Sequence, residues 1–379
     1  MNVDLSVLPI DRTIARVGLQ PATPVLIHGV ASAYPSFVFQ QDEIMAQAQQ
    51  VFATRPQLME RMNKSYDNAG VKTRNSCVPL SWYQSSHGWP ERARLFEENA
   101  VALLTAAGRD VLAAAGVAAS DVAATVTVSS TGIVTPSLDS LLQAPLGLAP
   151  TVQRLPVFGL GCAGGVIGLS RAAALARAMP GRWILFMCTE LCGLNFRADD
   201  DSKSNVIAST LFGDGAAAIV LRAGEGDASD VADVAPGRVV LHAWGEHTWP
   251  DTRDIMGWRV EDDGLAVIFS RHIPSLVRDH MRPVTDAFLA SLGMTHADLD
   301  GLIVHPGGEK VLAALEEVYA LAPNDMADAR AVLAEHGNMS AVTVLAVLQR
   351  ALERGRTGRH LMLALGPGFS VGMCLVDLL

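Results

Sequence analysis

The chain has 379 residues, 50% of them hydrophobic and 18% charged, with a formal net charge of −10. That length supports one large domain or two fused halves around a substantial core, and the acidic balance excludes nucleic acid as a general partner, because phosphate binding needs a basic surface. Five cysteines, an odd number in a long chain, point to reduced thiols and a cytoplasmic setting; Met1-Asn-Val-Asp-Leu-Ser6 lacks the regions of a signal peptide, and no apolar run approaches the ~18 residues of a membrane span.

Strand-like apolar runs alternate with Ala-rich helical stretches, the pattern of an α/β fold with a largely buried sheet. Glu97 to Gly116 reads as a helix and Val122 to Val128 as a strand ending at Ser129-Ser-Thr-Gly132. Leu155 to Ser170 reads as a buried strand, a glycine turn and the start of a helix. Arg182 to Cys188 is the next strand, and Phe212-Gly-Asp-Gly215 is a turn that feeds another. Ala223 to Gly237, rich in Gly, Asp and Ala, marks the boundary between halves 1–222 and 223–379. Beyond it the order repeats. Pro274 to Leu292 is helical, Leu302 to His305 is a strand and Met326 to Glu335 a short helix. Ala341 to Glu353 is a helix, and His360 to Leu365 and Met373 to Leu378 are strands.

Cys162 carries the most information. It sits in Gly159-Leu-Gly-Cys-Ala-Gly-Gly165, where strand gives way to helix. Backbone N–H groups and the positive end of a helix dipole favour thiolate there, and the glycines let a carbonyl approach the sulfur. The same stretch spells a Gly-x-Gly-x-x-Gly dinucleotide fingerprint. That reading needs an early βαβ unit and an acid about 20 residues on, whereas the stretch is mid-chain and Arg177 to Met187 contains no acid. A thiolate nucleophile also needs a base and donors for the oxyanion it creates. His305, before Pro306-Gly-Gly308, and Asn338, after Gly337, are the candidates. Each alone reads as a structural histidine or a turn residue. Cys188 and Cys192 form one close pair with no second pair to complete a metal site.

Six stretches in order, Gly161-Cys-Ala-Gly-Gly165, Asn195-Phe-Arg197, Leu211-Phe-Gly-Asp-Gly-Ala-Ala-Ala218, His305-Pro-Gly-Gly308, Gly337-Asn-Met-Ser340 and Gly366-Pro-Gly368, make the chain resemble the type III polyketide synthases, the chalcone synthase-like branch of the thiolase-fold superfamily. The resemblance implies a five-layered αβαβα thiolase fold of two similar halves, the first holding the nucleophile and the second the catalytic His and Asn. It implies a homodimer, with acyl-CoA and malonyl-CoA as substrates and no metal or redox cofactor. Cys162, His305 and Asn338 match the family's catalytic residues, and Phe196 matches a residue guarding the mouth of the cavity. Ser130, Thr131, Cys192, Asn195 and, less securely, Trp258 match cavity positions, and Gly366, Pro367 and Gly368 match a loop that shapes its wall. Arg61, Lys64 and Arg74 fall among the CoA-binding basic residues. Thr135 lies on the loop that crosses the dimer interface in the family. Leu58 stands where plant members carry Lys, and the large ring of Trp258 where they carry a small residue, so plant starter preferences do not transfer.

Three rivals share part of this pattern. A class III ketoacyl-carrier-protein synthase uses Cys, His and Asn but condenses once. His305-Pro-Gly-Gly308 and Gly366-Pro-Gly368 favour the polyketide reading, whose expected products are pyrones or resorcinols. A cysteine hydrolase needs an open cleft and a water. A non-catalytic binding module would have no use for all three reactive residues.

Overall fold

The structure, a computed structural model, describes residues 23–53, 63, 65–66, 68–224, 237–322 and 324–379. In chain order the first half comprises β1 (Val25–Ala33), β2 (Phe37–Gln40), α1 (Gln41–Val51), β3 (Thr73–Ser76), α2 (Trp89–Ala115), β4 (Val122–Ser129), α3 (Leu138–Leu146), β5 (Gln153–Phe158), α4 (Gly164–Ala178), β6 (Trp183–Leu191), α5 (Lys203–Leu211) and β7 (Asp214–Ala223). The second comprises β8 (Val239–Thr248), β9 (Met256–Glu261), β10 (Gly264–Phe269), α6 (Ile273–Ser291), β11 (Gly301–Val304), α7 (Glu309–Tyr319), α8 (Ala327–His336), α9 (Ala341–Glu353), β12 (Gly358–Gly366) and β13 (Ser370–Leu378). Among the described residues no helix is long and apolar enough to cross a membrane.

Nine strands form one sheet in the order β11-β12-β13-β8-β1-β7-β6-β4-β5. Its middle is the antiparallel pair β1/β8. Outward from there, β1-β7-β6-β4 and β8-β13-β12-β11 repeat one scheme: antiparallel, antiparallel, parallel. Two similar halves are thus joined edge to edge, as the repeated order of elements in the sequence suggested. β4, β6 and β7 are buried nearly throughout, the near-continuous apolar pattern of strands covered on both faces.

The cover on one face comes from two helices at the centre. α4 packs on β4, β6, β7, β12 and β13, and it touches α9, which itself packs on strands of both halves. Their close approach is built into the sequence: a Cβ on Gly165 would lie 2.2 Å from the carbonyl oxygen of Ala341. α2 lies over β1, β6 and β7, with α3 beside it, and α6 packs on β8 through Phe288 and Gly245. Helix, sheet, paired helices, sheet and helix make the five expected layers.

Two sequence expectations need correction. The strand read as buried at Leu155 is instead the sheet's outer edge, with Leu155 and Phe158 38% and 57% exposed. Apolar composition alone does not separate a buried strand from an edge awaiting cover. The hairpin β9–β10 has no counterpart among the predicted elements. Gly257, Asp262, Asp263 and Gly264 interrupt its pattern, and it forms a two-stranded sheet apart from the main one.

Candidate active site

Strand ends and helix starts converge where α4 meets α9. Cys162 lies in a short 3-10 turn, Gly161–Ala163, that runs directly into α4. The turn is held by the Gly161 N–H, which donates to Ser130 Oγ after β4 at 2.9 Å. Gly161 has φ +49°, and a Cβ there would strike Pro367 Cδ at 2.5 Å. The Gly366-Pro-Gly368 loop therefore rests against the cysteine turn, and only glycine fits between them.

His305 follows β11, its N–H donating to Leu363 O of β12 at 2.8 Å. It is buried, and neither ring nitrogen has a hydrogen-bond partner among the described residues. A buried polar ring left open in this way is poised for a ligand. Asn338, fully buried, is fixed by its main chain: its N–H donates to Leu211 O at 2.7 Å and its O accepts from Gly213 N at 3.1 Å. Its side-chain Oδ1 accepts from Ser340 N at 2.8 Å, which turns Nδ2 toward Gly307 O at 3.3 Å, two residues beyond His305. Ser340 completes the link, since it opens α9, which packs against the turn that holds Cys162, and its hydroxyl favours the Cys162 thiolate. It adopts φ +50°, a conformation that costs energy for a residue with a Cβ and tends to mark sites held in place for function. Cys162, Ser340, Asn338 and the His305 loop thus form one connected group drawn from both halves.

Of the five cysteines, Cys162 alone keeps partial exposure; Cys77, Cys188, Cys192 and Cys374 are buried. The environment nevertheless opposes the thiolate expected from the helix terminus. Burial pushes the Cys162 thiol up to about 12, with the Glu190 charge adding to the rise and Ser340 offsetting part of it. Burial likewise lowers His305 to about 3. A dry site penalises either charge alone. Glu190, also buried, is pushed up to about 8 by burial, against the pull of the Ser130 N–H and the hydroxyls of Thr131, Ser129 and Ser340.

An apolar pocket with about 690 Å³ of space, part of it open to solvent, is connected to this group through Phe212, while Cys162, His305 and Asn338 are not among its lining residues. Cys192, Asn195, Phe196 and Trp258 line it as the sequence suggests, together with Phe212 and Val267, which the sequence reading missed. Phe212 lay in a quoted motif but was read there as a turn. In the fold it bridges to Asn338 and its ring lies 6.0 Å from that of Trp258, whereas Phe196 packs on Phe52 and Tyr83. Ser130 and Thr131 do not line this pocket. They are buried, and their hydroxyl oxygens accept from Gly161 N and Leu191 N, which makes them supports of the cysteine turn and of the end of β6.

The CoA-binding expectation also changes. Arg74 is buried, and its guanidinium donates to the carbonyls of Ser209, Thr210 and Phe212 at 2.8 to 2.9 Å. A charge held this way braces α5 and is not offered to phosphate. Arg61 and Lys64 lie outside the described residues. A second cleft is lined by Lys203, Arg271 and Lys310 and reaches Gly307 and Gly308 beside His305. These three cations are far apart in sequence, so only the fold assembles them. Among the described residues no three His, Cys, Asp or Glu side chains are grouped to hold a metal ion.

Comparison with known proteins agrees with this architecture. The family models "Chalcone and stilbene synthases" match residues 19–225 with the N-terminal domain and 241–378 with the C-terminal domain. The chain is 35% identical over 318 residues to 1,3,6,8-tetrahydroxynaphthalene synthase of Streptomyces peucetius, covering 83% of each chain. It is 29% identical over 370 residues to an α-pyrone-synthesis polyketide-synthase-like protein of Mycobacterium tuberculosis, covering 95% of this chain and 92% of that one. The crystal structure of 1,3,6,8-tetrahydroxynaphthalene synthase from Streptomyces coelicolor, a bacterial type III polyketide synthase, superposes with a TM-score of 0.85 at 27% identity, covering 94% of this chain and 99% of that one. The ketoacyl-carrier-protein synthase alternative is set aside by these matches. With the thiolase fold in place and both family domains matched in order, the chain belongs to the chalcone and stilbene synthase family and is a type III polyketide synthase, a transferase that forms carbon–carbon bonds by Claisen condensation.

Proposed function

We propose that Cys162, His305 and Asn338 carry the condensation and that an alkyl acyl-CoA is the starter. The observation that supports this most is a partly exposed thiol in a turn packed on α9, whose Ser340 is held by Asn338, together with a buried imidazole without a hydrogen-bond partner among the described residues. Cys162 passes its proton to His305 as the sulfur attacks the acyl-CoA carbonyl, and CoA leaves with a proton. Malonyl-CoA then enters by the Lys203–Arg271–Lys310 cleft, its phosphates facing those cations. Loss of CO₂ puts negative charge on its thioester oxygen, which Nε2–H of His305 and Nδ2–H of Asn338 stabilise. The carbanion attacks the Cys162 thioester, the sulfur leaves, and the chain, now two carbons longer and on CoA, reloads for the next round. This chemistry calls for no metal or redox cofactor.

Phe212, between Asn338 and Trp258, joins Phe196, which the family resemblance sets at the mouth of the cavity, in the lining of the pocket. The exposed edge strand β5, with Leu155 and Phe158, and the neighbouring exposed Ile133, near Thr135, suit antiparallel pairing of two copies into a homodimer. Mass spectrometry of products from malonyl-CoA and a graded acyl-CoA panel tests the reading: alkyl pyrones or resorcinols support it, and a single condensation with every starter opposes it.

Charges that are disfavoured singly offset each other when formed together, so thiolate near neutral pH depends on His305 accepting the proton. His305→Ala should therefore move the midpoint of Cys162 alkylation by iodoacetamide upward, toward the buried-thiol value of about 12. A midpoint unmoved by the substitution would mean that the imidazole does not activate the sulfur.

Trp258 occupies pocket volume, and carbons add only while the chain fits. Trp258→Gly should admit longer starters or further extensions at a cost of about 3–5 kcal/mol, the range for removing a packed aromatic, lessened because the pocket already borders the ring. Chain lengths and ring types identical to wild type with the same acyl-CoA panel would show that Trp258 sets no limit.

A further inference from the structure

Two of the elements that line the pocket are joined by no main-chain hydrogen bond among the described residues. One is the segment after β6, which brings Cys192, Asn195 and Phe196. The other is the β9–β10 hairpin, where Trp258 and Val267 are cross-strand partners and both face the pocket. A two-stranded hairpin is marginal alone, so its position depends on what holds its tip. Three side chains do so. Arg197, the residue after Phe196, places its guanidinium 2.7 Å from Asp263 in the hairpin turn. Trp89 Nε1 donates to Glu261 O at 2.9 Å on the other side of that turn. Beneath both, buried Arg92 donates to the carbonyl of Phe196 at 3.1 Å and to that of Leu194, while Gly264 packs against its stem. Of these three, the Arg197–Asp263 pair is the one close ion pair between a pocket-lining segment and the hairpin, with the Arg92 guanidinium a second positive charge that acts on Asp263 without an ion-pair contact.

We infer that the Arg197–Asp263 ion pair is a latch that sets the width of the pocket and so the number of extensions, making both residues specificity determinants remote from Cys162. This rests on the pocket being the chamber in which the chain grows. The pair is partly buried, with side chains 19% and 30% exposed, so it is screened less than a surface pair yet still responds to salt. With the latch open, the hairpin keeps its packing on α5 and on the segment after β6 but loses the charged tie at its tip, so that Trp258 can shift relative to Phe212. The pair does its work through the position of Trp258 and touches none of the reacting atoms.

The test uses the full chain, malonyl-CoA and one alkyl acyl-CoA. Asp263→Asn and Arg197→Gln should each raise the ratio of longer to shorter products by about fivefold, the factor corresponding to about 1 kcal/mol for such a pair. The double variant should go no further than either single one, because one interaction is lost in all three. Asp263→Glu, which keeps the charge, should restore much of the wild-type ratio, and raising ionic strength should shift the wild-type enzyme toward longer products. Malonyl-CoA decarboxylation should be unchanged in every variant. A wild-type ratio in Asp263→Asn, or additive effects in the double variant, would overturn the latch, as would decarboxylation falling in step with extension. If Trp258→Gly also leaves the products unchanged, the growth chamber itself is misplaced; if Trp258→Gly alters them and Asp263→Asn does not, only the latch fails.

Discussion

Cys162→Ala is expected to make no polyketide product at all while still releasing CO₂ from malonyl-CoA. In the proposed mechanism the two halves of the reaction rest on different residues. On that mechanism the sulfur of Cys162 carries the acyl chain and has no substitute, because the other four thiols are buried, Cys192 in the lining of the pocket and Cys77, Cys188 and Cys374 in the core. Decarboxylation needs only donors at the thioester oxygen of malonyl-CoA, and His305 and Asn338 are untouched by the change. The substitution removes one sulfur from a half-exposed position, so thermal unfolding should move little. Purified Cys162→Ala protein that still extends an acyl-CoA starter would remove the cysteine from the mechanism, and loss of both reactions would show that the thiol also takes part in decarboxylation.

Asn338→Ala is expected to produce the opposite division. Removing one oxyanion donor costs about 10²–10³ in rate, so decarboxylation should fall by roughly that factor while starter loading on Cys162 persists. The side chain has a second task, since its Oδ1 accepts from Ser340 N and helps hold that residue at φ +50°. Loss of a side-chain to main-chain hydrogen bond of this kind costs about 1 kcal/mol, which lowers the melting temperature without abolishing decarboxylation. Rates of CO₂ release measured beside melting curves therefore separate the two tasks: a lower melting temperature with normal CO₂ release would leave Asn338 as a structural residue only.

The fold was legible because its long elements follow strict patterns. The helix expected from Ala341 to Glu353 has those bounds in the structure, and the strand at Val122 differs by one residue. Cys162 could be placed at a strand-to-helix turn from glycines alone, and His305 and Asn338 from their positions beside Gly-rich breaks. What stayed hidden depends on distance in the chain. Nothing local tells that Arg74 turns inward to meet the carbonyls of Ser209, Thr210 and Phe212, or that Lys203, Arg271 and Lys310 share a cleft. The charge state of the site was misread for the same reason. A helix terminus is visible in sequence, whereas burial on all sides is not, and burial is the larger influence on Cys162. Edge strand β5 shows the limit from the other side: its apolar residues were visible, but not that one face of them lies open.

The central claim is that the growing chain is carried on Cys162, and one measurement addresses it directly. The protein is incubated with an alkyl acyl-CoA without malonyl-CoA, quenched in acid, digested and mapped by mass spectrometry. The expected result is one acyl group per chain, on the peptide containing Cys162, and none in Cys162→Ala. Acyl groups on Cys77, Cys188, Cys192 or Cys374, or none on the protein under conditions where product forms, would contradict the account.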